Sequence, residues 1–276
     1  MDPLIYHNGR IIEASAASIR PTSAGLLYGW GVFTTLRIDS KRVFAFERYW
    51  QRLERHALVA GISLPLQGYE AAAAVDQLID SNGVCDGRAR ITVAKSTAGT
   101  WSLPSNLDSD FLIFTSSEQV RPSEDVAITI SPYRTLSHGP LAGVKRVAML
   151  ENLLALEEAR SRGFNEAVMF NERGEIVTAT AANLFWSVSN QLFTPSLATG
   201  CVPGITRSYV LDIARKLSLT VEEGSFPVQR LLDANEVFLT STVRGVVQAA
   251  SFDVKEYPAS TAWMGRVIAR EFQKLI

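Results

Sequence analysis

The stretch LAGVKRVAMLENLLALEEARSRGFNEAVMFNERGEIVTATAANLF, from Leu141 to Phe185, sets the interpretation of the whole chain. A small apolar approach leads to one lysine, Lys145, and the amphipathic run that follows predicts a helix from Met149 to Arg160. An apolar approach and a buried helix face exclude water, and this favours the neutral amine, which is the nucleophilic form of a lysine. Lys145 is therefore the candidate catalytic residue.

Lys145 also has a simpler explanation. The helix after it would bury Leu150, Leu153 and Leu154, and a lysine stem can pack on such a surface while its ammonium group stays in water. Most lysines in proteins are exposed in this way. The choice between the two interpretations of Lys145 therefore depends on the other motifs of the chain.

Length, charge and cysteine content narrow the class of protein. The chain has 276 residues, nearly half of them hydrophobic, which suits a globular protein of one large or two smaller domains. A net charge of -1 gives no basic footprint for nucleic acid or an anionic membrane, so we expect small molecules or further copies of the chain as partners. No apolar run is long enough to span a bilayer, and the N-terminal residues lack an export signal. Cys85 and Cys201 lie far apart, so we expect a reduced, cytoplasmic protein without a metal site.

Local patterns predict an α+β fold in two domains. Residues 1–120 would form a smaller N-terminal domain, and residues 121–276 a larger C-terminal domain that carries Lys145. The boundary is placed in the polar, proline-containing segment Glu118–Glu124. The predicted strands are Leu4–Tyr6 and Arg10–Ile12, joined by an Asn8-Gly9 hairpin turn, and Val32–Ile38, Arg42–Phe46, Ala89–Lys95, Phe111–Ser116, Val126–Ser131, Glu166–Asn171, Ile176–Thr180, Leu184–Val188 and Glu236–Thr242.

Three features of the chain suit the binding of an anion. Gly204-Ile205-Thr206 leads into a helix, where main-chain N–H groups, the Thr206 hydroxyl and the helix dipole can hold a phosphate, although Thr206 would serve equally well as a plain N-cap. Ser241-Thr242 ends a buried strand, which suits either a ligand site or simple strand termination. Arg52 has a guanidinium that fits phosphate, but it lies off the apolar face of its predicted helix, as exposed arginines do.

The combination of these motifs resembles the fold type IV pyridoxal-phosphate (PLP) enzymes, which include branched-chain and D-amino-acid aminotransferases and 4-amino-4-deoxychorismate lyase. The resemblance covers nearly the whole chain and is strongest to the lyase. It rests on six ordered motifs, which are Tyr28-Gly29-Trp30-Gly31-Val32-Phe33, Arg52-Leu53, Gly143-Val144-Lys145, Ala182-Asn183-Leu184-Phe185, Pro203-Gly204-Ile205-Thr206-Arg207 and Glu236-Val237-Phe238-Leu239-Thr240-Ser241-Thr242.

The resemblance implies a cofactor, an assembly and roles for single residues. PLP would lie in the cleft between the two domains, in a protein that forms a homodimer. Lys145 would form the Schiff base with PLP and then act as general base and acid. Val202 would pack against the pyridine ring. The phosphate would be bound by Arg52, the amides of Ile205 and Thr206, the Thr206 hydroxyl and Thr242.

One position departs from the family pattern. The family places a glutamate five residues before the asparagine that matches Asn183, where its carboxylate keeps the pyridine nitrogen protonated. This chain has Thr178 at that position, and Glu175 is not expected to replace the missing carboxylate. A hydroxyl stabilises a pyridinium less than a carboxylate does, so the cofactor would be a weaker electron sink.

This departure favours a lyase over an aminotransferase. In 4-amino-4-deoxychorismate lyase, loss of pyruvate creates an aromatic ring, and aromatisation supplies a driving force that an amino-acid substrate lacks. Phe33-Thr34-Thr35 also resembles the lyase, which makes Thr35 a candidate substrate-binding residue. Lys95 and Arg244 are candidates for binding the substrate carboxylates, or are solvated surface charges.

Three functions remain open at this point. The first is a PLP-dependent lyase of folate biosynthesis that converts 4-amino-4-deoxychorismate to 4-aminobenzoate and pyruvate. The second is an aminotransferase of branched-chain or D-amino acids. The third, suggested by Thr178, is a non-catalytic or altered member of the family that binds a phosphorylated ligand.

Overall fold

The computed structural model describes residues 1–96, 109–117, 125–257, 260 and 263–276. The chain divides into two compact units, of which unit 1 comprises Met1–Val120 with Val144–Ala148, and unit 2 comprises Arg121–Gly143 with Met149–Ile276. The short segment that carries Lys145 packs with unit 1, whereas we expected it in the C-terminal domain. The expected boundary segment, Glu118–Glu124, lies outside the described residues.

Unit 1 is an antiparallel sheet with helices. Its described elements are β1 (Leu4–His7), β2 (Arg10–Glu13), α1 (Ala24–Tyr28), β3 (Gly31–Asp39), β4 (Arg42–Val43), α2 (Phe46–Val59), α3 (Gly68–Asn82), β5 (Gly87–Lys95) and β6 (Ser109–Ser116). The strands pair in the order β2-β1-β6-β5-β3-β4. Asn8 and Gly9, between β1 and β2, have positive φ angles of 48° and 93°, as the predicted hairpin turn requires.

The pairing of β3 with β5 positions the residues discussed below. The two strands are antiparallel and run in register from Gly31 opposite Ala94 to Ile38 opposite Gly87. Side chains alternate between the two faces of a strand, so Phe33 and Thr35 share one face with Arg90, which lies opposite Thr35. The sequence of β5 shows the same alternation, with fully buried Ile91 and Val93 on the other face.

Unit 2 is built on a mixed sheet. Its described elements are β7 (Val126–Thr135), α4 (Leu150–Ser161), β8 (Glu166–Asn171), β9 (Ile176–Ala179), β10 (Asn183–Val188), β11 (Gln191–Pro195), α5 (Ile205–Lys216), β12 (Val221–Gly224), α6 (Gln229–Leu232), β13 (Glu236–Ser241), β14 (Gly245–Phe252), β15 (Lys255–Glu256) and α7 (Met264–Gln273). The strand order is β12-β11-β10-β13-β14-β7-β8-β9, with β15 beside β14. Trp186 packs edge to face on Phe226, with ring centres 5.0 Å apart, at the middle of the hydrophobic core.

Helix α4 differs from the prediction. The expected apolar face of Leu150, Leu153 and Leu154 is exposed, by 67%, 55% and 48% of the respective residue surfaces. The buried positions are the small residues Ala155 and Ala159 instead. Helix α4 therefore packs on the sheet of unit 2 through its alanines, and the leucines of the helix lie at the surface of the chain.

Two further observations concern the described residues as a set. None of their helices is both long enough and apolar enough to cross a membrane. They also contain no group of three or more His, Cys, Asp or Glu side chains arranged to hold a metal ion.

Candidate active site

Lys145 lies on a short segment beside β3. Val32 and Arg146 form an antiparallel bridge, and the main-chain N–H of Phe33 donates to the carbonyl oxygen of Lys145 at 3.1 Å. Strand alternation then puts the Lys145 side chain on the same face as that of Phe33. The lysine is fixed by the sheet of unit 1, and helix α4 begins five residues later, at Leu150.

The amine of Lys145 is surrounded by an aromatic ring and two cations. Its Nζ lies 4.4 Å from the centre of the Phe33 ring, and the Arg90 guanidinium carbon lies 3.7 Å from the same centre. Burial, followed by the positive charges of Arg52 and Arg90, lowers the pKa of Lys145 to about 7. Near neutral pH a large share of the amine is therefore neutral, which is the form that acts as nucleophile or base.

Arg52 is buried, although the helical pattern places it off the apolar face of α2. Only 3% of its surface is exposed, and its Nη2 donates to the Thr34 hydroxyl at 2.9 Å. Burial lowers the pKa of Arg52 to about 10, so the guanidinium still carries its charge at neutral pH. A buried cation next to a neutral hydroxyl is suited to a dianionic ligand such as a phosphate ester, because an anion would offset the cost of burying the charge.

Arg90 is a residue that the sequence analysis missed. It lies opposite Thr35 on the Lys145 face of the sheet, and its Nε donates to the Thr92 hydroxyl at 3.2 Å. Burial lowers its pKa. The signal in the sequence is the alternation Arg88-Ala89-Arg90-Ile91-Thr92, which puts two arginines on the face of β5 that does not carry the apolar side chains.

Lys95 occupies a different environment from the one we expected. Only 6% of its surface is exposed, and its Nζ lies 3.8 Å from the centre of the Trp30 ring. Lys95 and Arg90 are five residues apart on β5, so alternation directs them to opposite faces of the strand. The structure thus brings together Lys145, Arg52, Arg90 and Thr35 in unit 1, and it does not bring Lys95 to the same face.

In unit 2, helix α5 offers an N-terminus without a side-chain cap. Its N-cap is Gly204, so Thr206 is not the N-cap that the simpler interpretation required, and no side chain accepts a hydrogen bond at that cap. Ile205 and Thr206 form the first turn and are both buried. The Thr206 hydroxyl is buried and has no hydrogen-bond partner among the described residues. A buried hydroxyl at a helix N-terminus is the group that a bound phosphate would satisfy.

Asn183 anchors the loop that leads into α5. Its Nδ2 donates to the carbonyl oxygen of Val202 at 2.9 Å. Its Oδ1 approaches Gly204 so closely that a Cβ built on the glycine would lie 1.9 Å away. Glycine is therefore required at 204, and Asn183 fixes the half-buried Val202 together with the start of the helix.

Thr178, on β9, has its hydroxyl committed within the same hairpin. The Thr178 Oγ1 donates to the carbonyl oxygen of Ala182 at 2.6 Å. The Glu175 carboxylate accepts hydrogen bonds from Arg173 at 2.6 Å and from Asn171 at 2.7 Å, and these hydrogen bonds lower its pKa. Both side chains of the hairpin that we considered for the pyridine nitrogen thus have partners inside unit 2.

The last two predicted site residues lie in the turn between β13 and β14. Thr242 is half-buried and Arg244 is exposed. The Arg244 main-chain N–H donates to the Ser241 hydroxyl at 3.2 Å, which closes the turn. The side chain of Thr242 is therefore less exposed than that of Arg244, whose charge is solvated.

The residues present suit PLP. Unit 1 contains an amine that is partly neutral at pH 7 and a buried guanidinium. Unit 2 contains an uncapped helix N-terminus with a buried hydroxyl that has no partner among the described residues. An aldehyde requires a neutral amine, and a phosphate ester requires cations, N–H groups and hydroxyls.

The chain is similar to known proteins over most of its length. The chain matches the family "Amino-transferase class IV" over residues 31–252. It is 27% identical to aminodeoxychorismate lyase of Bacillus subtilis over 262 residues, which cover 92% of this chain and 88% of the relative. It is also 27% identical to D-alanine aminotransferase of Bacillus licheniformis over 255 residues, covering 90% and 88%. The structure of a branched-chain aminotransferase from Thermoproteus uzoniensis superposes with a TM-score of 0.92 at 26% identity and covers 99% of this chain and 94% of that one.

A match over most of the chain identifies the class of protein, and the chain belongs to the class IV aminotransferase family. It has the two-sheet α+β fold of that family, and it is a PLP-dependent enzyme. The resemblance noted in the sequence and the expected cofactor are confirmed.

Proposed function

We propose that the chain is a PLP-dependent lyase that converts 4-amino-4-deoxychorismate to 4-aminobenzoate and pyruvate. The observation that carries the proposal is Thr178, which stands where the family has a carboxylate and whose hydroxyl donates to the Ala182 carbonyl. A hydroxyl stabilises the protonated pyridine nitrogen less than a carboxylate does, which makes the cofactor a weaker electron sink. A weaker electron sink suits a reaction for which aromatisation supplies part of the driving force. Such an activity would place the chain in folate biosynthesis and in the cytoplasm.

Lys145 is the proposed general base and acid. When bound, PLP supplies an electron sink for the carbon that bears the substrate amine. The Lys145 amine, with a pKa of about 7, takes the proton from that carbon at neutral pH. The resulting ammonium can return a proton to the departing three-carbon enol, which becomes pyruvate as the ring becomes aromatic.

Arg90 and Thr35 are the proposed substrate-binding residues. The planar guanidinium of Arg90 presents paired N–H donors, which match a carboxylate, and its central carbon lies 3.7 Å from the centre of the Phe33 ring. The substrate carries two carboxylates, so a cation on the Lys145 face orients it relative to the base. Thr35, opposite Arg90, adds a hydroxyl on the same face.

The proposed ligands of the cofactor phosphate are the ones that the family resemblance implies. Arg52 supplies the cation, and the first turn of α5 supplies the amides of Ile205 and Thr206 with the Thr206 hydroxyl. Thr242 supplies a further hydroxyl, and Val202, fixed by Asn183, supplies an aliphatic contact for the pyridine ring.

The test measures product identity. Purified chain loaded with PLP is incubated with 4-amino-4-deoxychorismate, and pyruvate and 4-aminobenzoate are quantified together. We expect equal amounts of both products and a loss of at least about 1,000-fold in rate in Lys145→Ala. The matched control, Lys274→Ala at an exposed position, should leave the rate unchanged. Absence of pyruvate from active, PLP-loaded protein would overturn the lyase assignment.

An aminotransferase is the second candidate, because the D-alanine aminotransferase of Bacillus licheniformis is as similar in identity as the lyase relative. This activity would transfer an amino group from a D-amino or branched-chain amino acid to a 2-oxo acid. The same preparation, given D-alanine or leucine with 2-oxoglutarate, distinguishes the two activities by the formation of glutamate.

We also propose that the chain forms a homodimer through α4. The exposed Leu150, Leu153 and Leu154 form an apolar strip on a helix whose other side is seated on small residues. Sedimentation analysis of the wild type and of Leu153→Glu tests this proposal, and a wild type that sediments as a monomer would contradict it.

A further inference from the structure

His56 has an unusual place in unit 1. It lies on α2, one helical turn after Arg52, and only 6% of its surface is exposed. Its Nδ1 accepts a hydrogen bond from the main-chain N–H of Lys145 at 3.1 Å. A histidine ring thus contacts the backbone of the proposed catalytic residue directly.

The hydrogen bond completes the main-chain pairing of the Lys145 segment. The Lys145 carbonyl oxygen accepts from the Phe33 N–H, and the Val147 N–H donates to the Gly31 carbonyl oxygen at 2.8 Å. The N–H of Lys145 turns to His56 instead of to β3. A buried main-chain N–H without an acceptor is unfavourable, and the His56 ring supplies the acceptor that a strand carbonyl would otherwise provide.

His56 keeps this acceptor at neutral pH. Burial, followed by the positive charges of Arg52, Arg55 and Lys145, lowers the pKa of His56 to about 4. Above that pH the ring is neutral, so Nδ1 has a lone pair and Nε2 carries the proton. Protonation of Nδ1 would break the hydrogen bond, because the Nδ1–H group would then face the main-chain N–H of Lys145 and neither could accept.

We propose that His56 is a positioning residue that holds the backbone of Lys145 and thereby fixes its amine over the Phe33 ring. The inference rests on the proposed catalytic role of Lys145. Two hydrogen bonds, one on each side of the Lys145 α-carbon, restrict how the residue turns about β3. The neutral ring provides the second of them without adding a third cation to those of Arg52 and Arg90.

A matched pair of variants tests the proposal. In His56→Asn the side-chain Oδ1 occupies the place of Nδ1 and accepts the same hydrogen bond, whereas His56→Leu has the same shape as asparagine and no acceptor. We expect kcat to fall about 50-fold in His56→Leu, with KM changed by no more than about threefold, because misplacement of a catalytic group slows the chemical step. His56→Asn should stay within about threefold of the wild type.

A second readout needs neither cofactor nor turnover. Pulses of an amine-acylating reagent are applied to the apoprotein between pH 5 and pH 10, and labelling of Lys145 is followed by mass spectrometry. We expect the midpoint for Lys145 to rise by about one pH unit in His56→Leu, because a released amine moves toward water, and not in His56→Asn. Equal midpoints and equal kcat in His56→Leu and the wild type would overturn the proposal.

A measurement on the unaltered chain covers the case in which the variants do not fold. The chain has three histidines, so ¹⁵N labelling of histidine gives few resonances to assign. We expect one ring with an unprotonated Nδ1 at pH 7 and a lone pair engaged as acceptor, and a protonated Nδ1 on His56 would overturn the inference. If Lys145→Ala kept full activity, the proposed catalytic role of Lys145 would be wrong. The labelling of Lys145 in the wild type and the His56 variants, and the tautomer of His56, would still test the contact between His56 and Lys145.

Discussion

Two clusters of cations, one in each unit, are stabilised in different ways. In unit 1, Lys145 and Arg90 lie against the Phe33 ring, and Arg52 donates to a threonine hydroxyl. In unit 2, Arg173 lies 2.6 Å from the Glu175 carboxylate and 3.8 Å from that of Glu172. Lys145, Arg90 and Arg52 are buried or partly buried beside neutral groups, and Arg173 is paired with carboxylates in a more exposed network.

The difference appears in the pKa values. In unit 1, burial moves the pKa of Lys145 to about 7 and that of Arg52 to about 10. In unit 2, the hydrogen bond that Arg173 donates to Glu175 raises the pKa of Arg173, and hydrogen bonds from Ser137 lower the pKa of Glu172 to about 2. The paired network stabilises the charges already present, whereas the unit 1 cluster would gain most from an anion that arrives as a ligand. If the proposed function is correct, this contrast separates the groups that bind ligands from those that stabilise the fold.

Among the arginines of the unit 1 cluster, the largest effect of a substitution is expected at Arg90. In Arg90→Leu, kcat/KM should fall about 100-fold, because the substrate carboxylate loses its cation and its orientation relative to Lys145. Arg90→Lys keeps the charge but not the planar fork, and should recover only part of the loss. Steady-state kinetics with purified, PLP-loaded variants measures both effects. Wild-type kinetics in Arg90→Leu would remove Arg90 from the site.

A somewhat smaller effect is expected at Arg52. In Arg52→Met the affinity for PLP should fall about 30-fold, because a buried cation no longer meets the phosphate. Arg55→Met, at an exposed position on the same helix, is the matched control and should bind PLP as the wild type does. Titration of each apoprotein with PLP, followed by absorbance, gives the dissociation constants. Equal affinities in the two variants would place the phosphate elsewhere.

The smallest effect is expected in the unit 2 network. Glu172→Gln should change kcat by less than about twofold, because this carboxylate accepts its hydrogen bonds from Ser137 and is not one of the proposed site groups. The folded-state pKa of Glu172 lies below its ordinary value of 4.5, so the stabilisation is present above that pH and is lost as the pH falls through about 2. Unfolding curves of the wild type and Glu172→Gln should therefore differ near pH 6 and converge in acid. A large loss of activity at neutral pH would mean that the network serves catalysis.

The sequence predicted local backbone features, such as turns and helix starts, better than it predicted which polar side chains are buried. The Asn8-Gly9 turn and the start of α5 at Gly204-Ile205 follow from local rules about φ angles and caps. The burial of Arg52 does not, because the helical pattern puts it off the apolar face and only contact with Thr34 of β3 shows that it is enclosed.

Three further features depend on tertiary packing and could not be predicted from the sequence: the buried face of α4, the strand β14 and the contact of His56. The sequence predicts that the leucines of α4 form its buried face, but the buried residues of this helix are Ala155 and Ala159. Strand β14 follows β13 after a tight turn, and its Gln248-Ala249-Ala250 run lacks a clear alternation. The contact of His56 with Lys145 spans 89 residues of chain, so no local pattern could show it.

The most direct test of the central claim is the ionisation of Lys145 in the wild-type apoprotein. Acylation of Lys145 is measured from pH 5 to pH 10, with labelling of the exposed Lys274 as the reference for reagent reactivity. Because only the neutral amine reacts, Lys145 labelling should rise with pH through a midpoint near 7 and then level off. Labelling that is still rising at pH 10, as for a lysine with the ordinary pKa of 10.5, would contradict a desolvated catalytic amine held among cations.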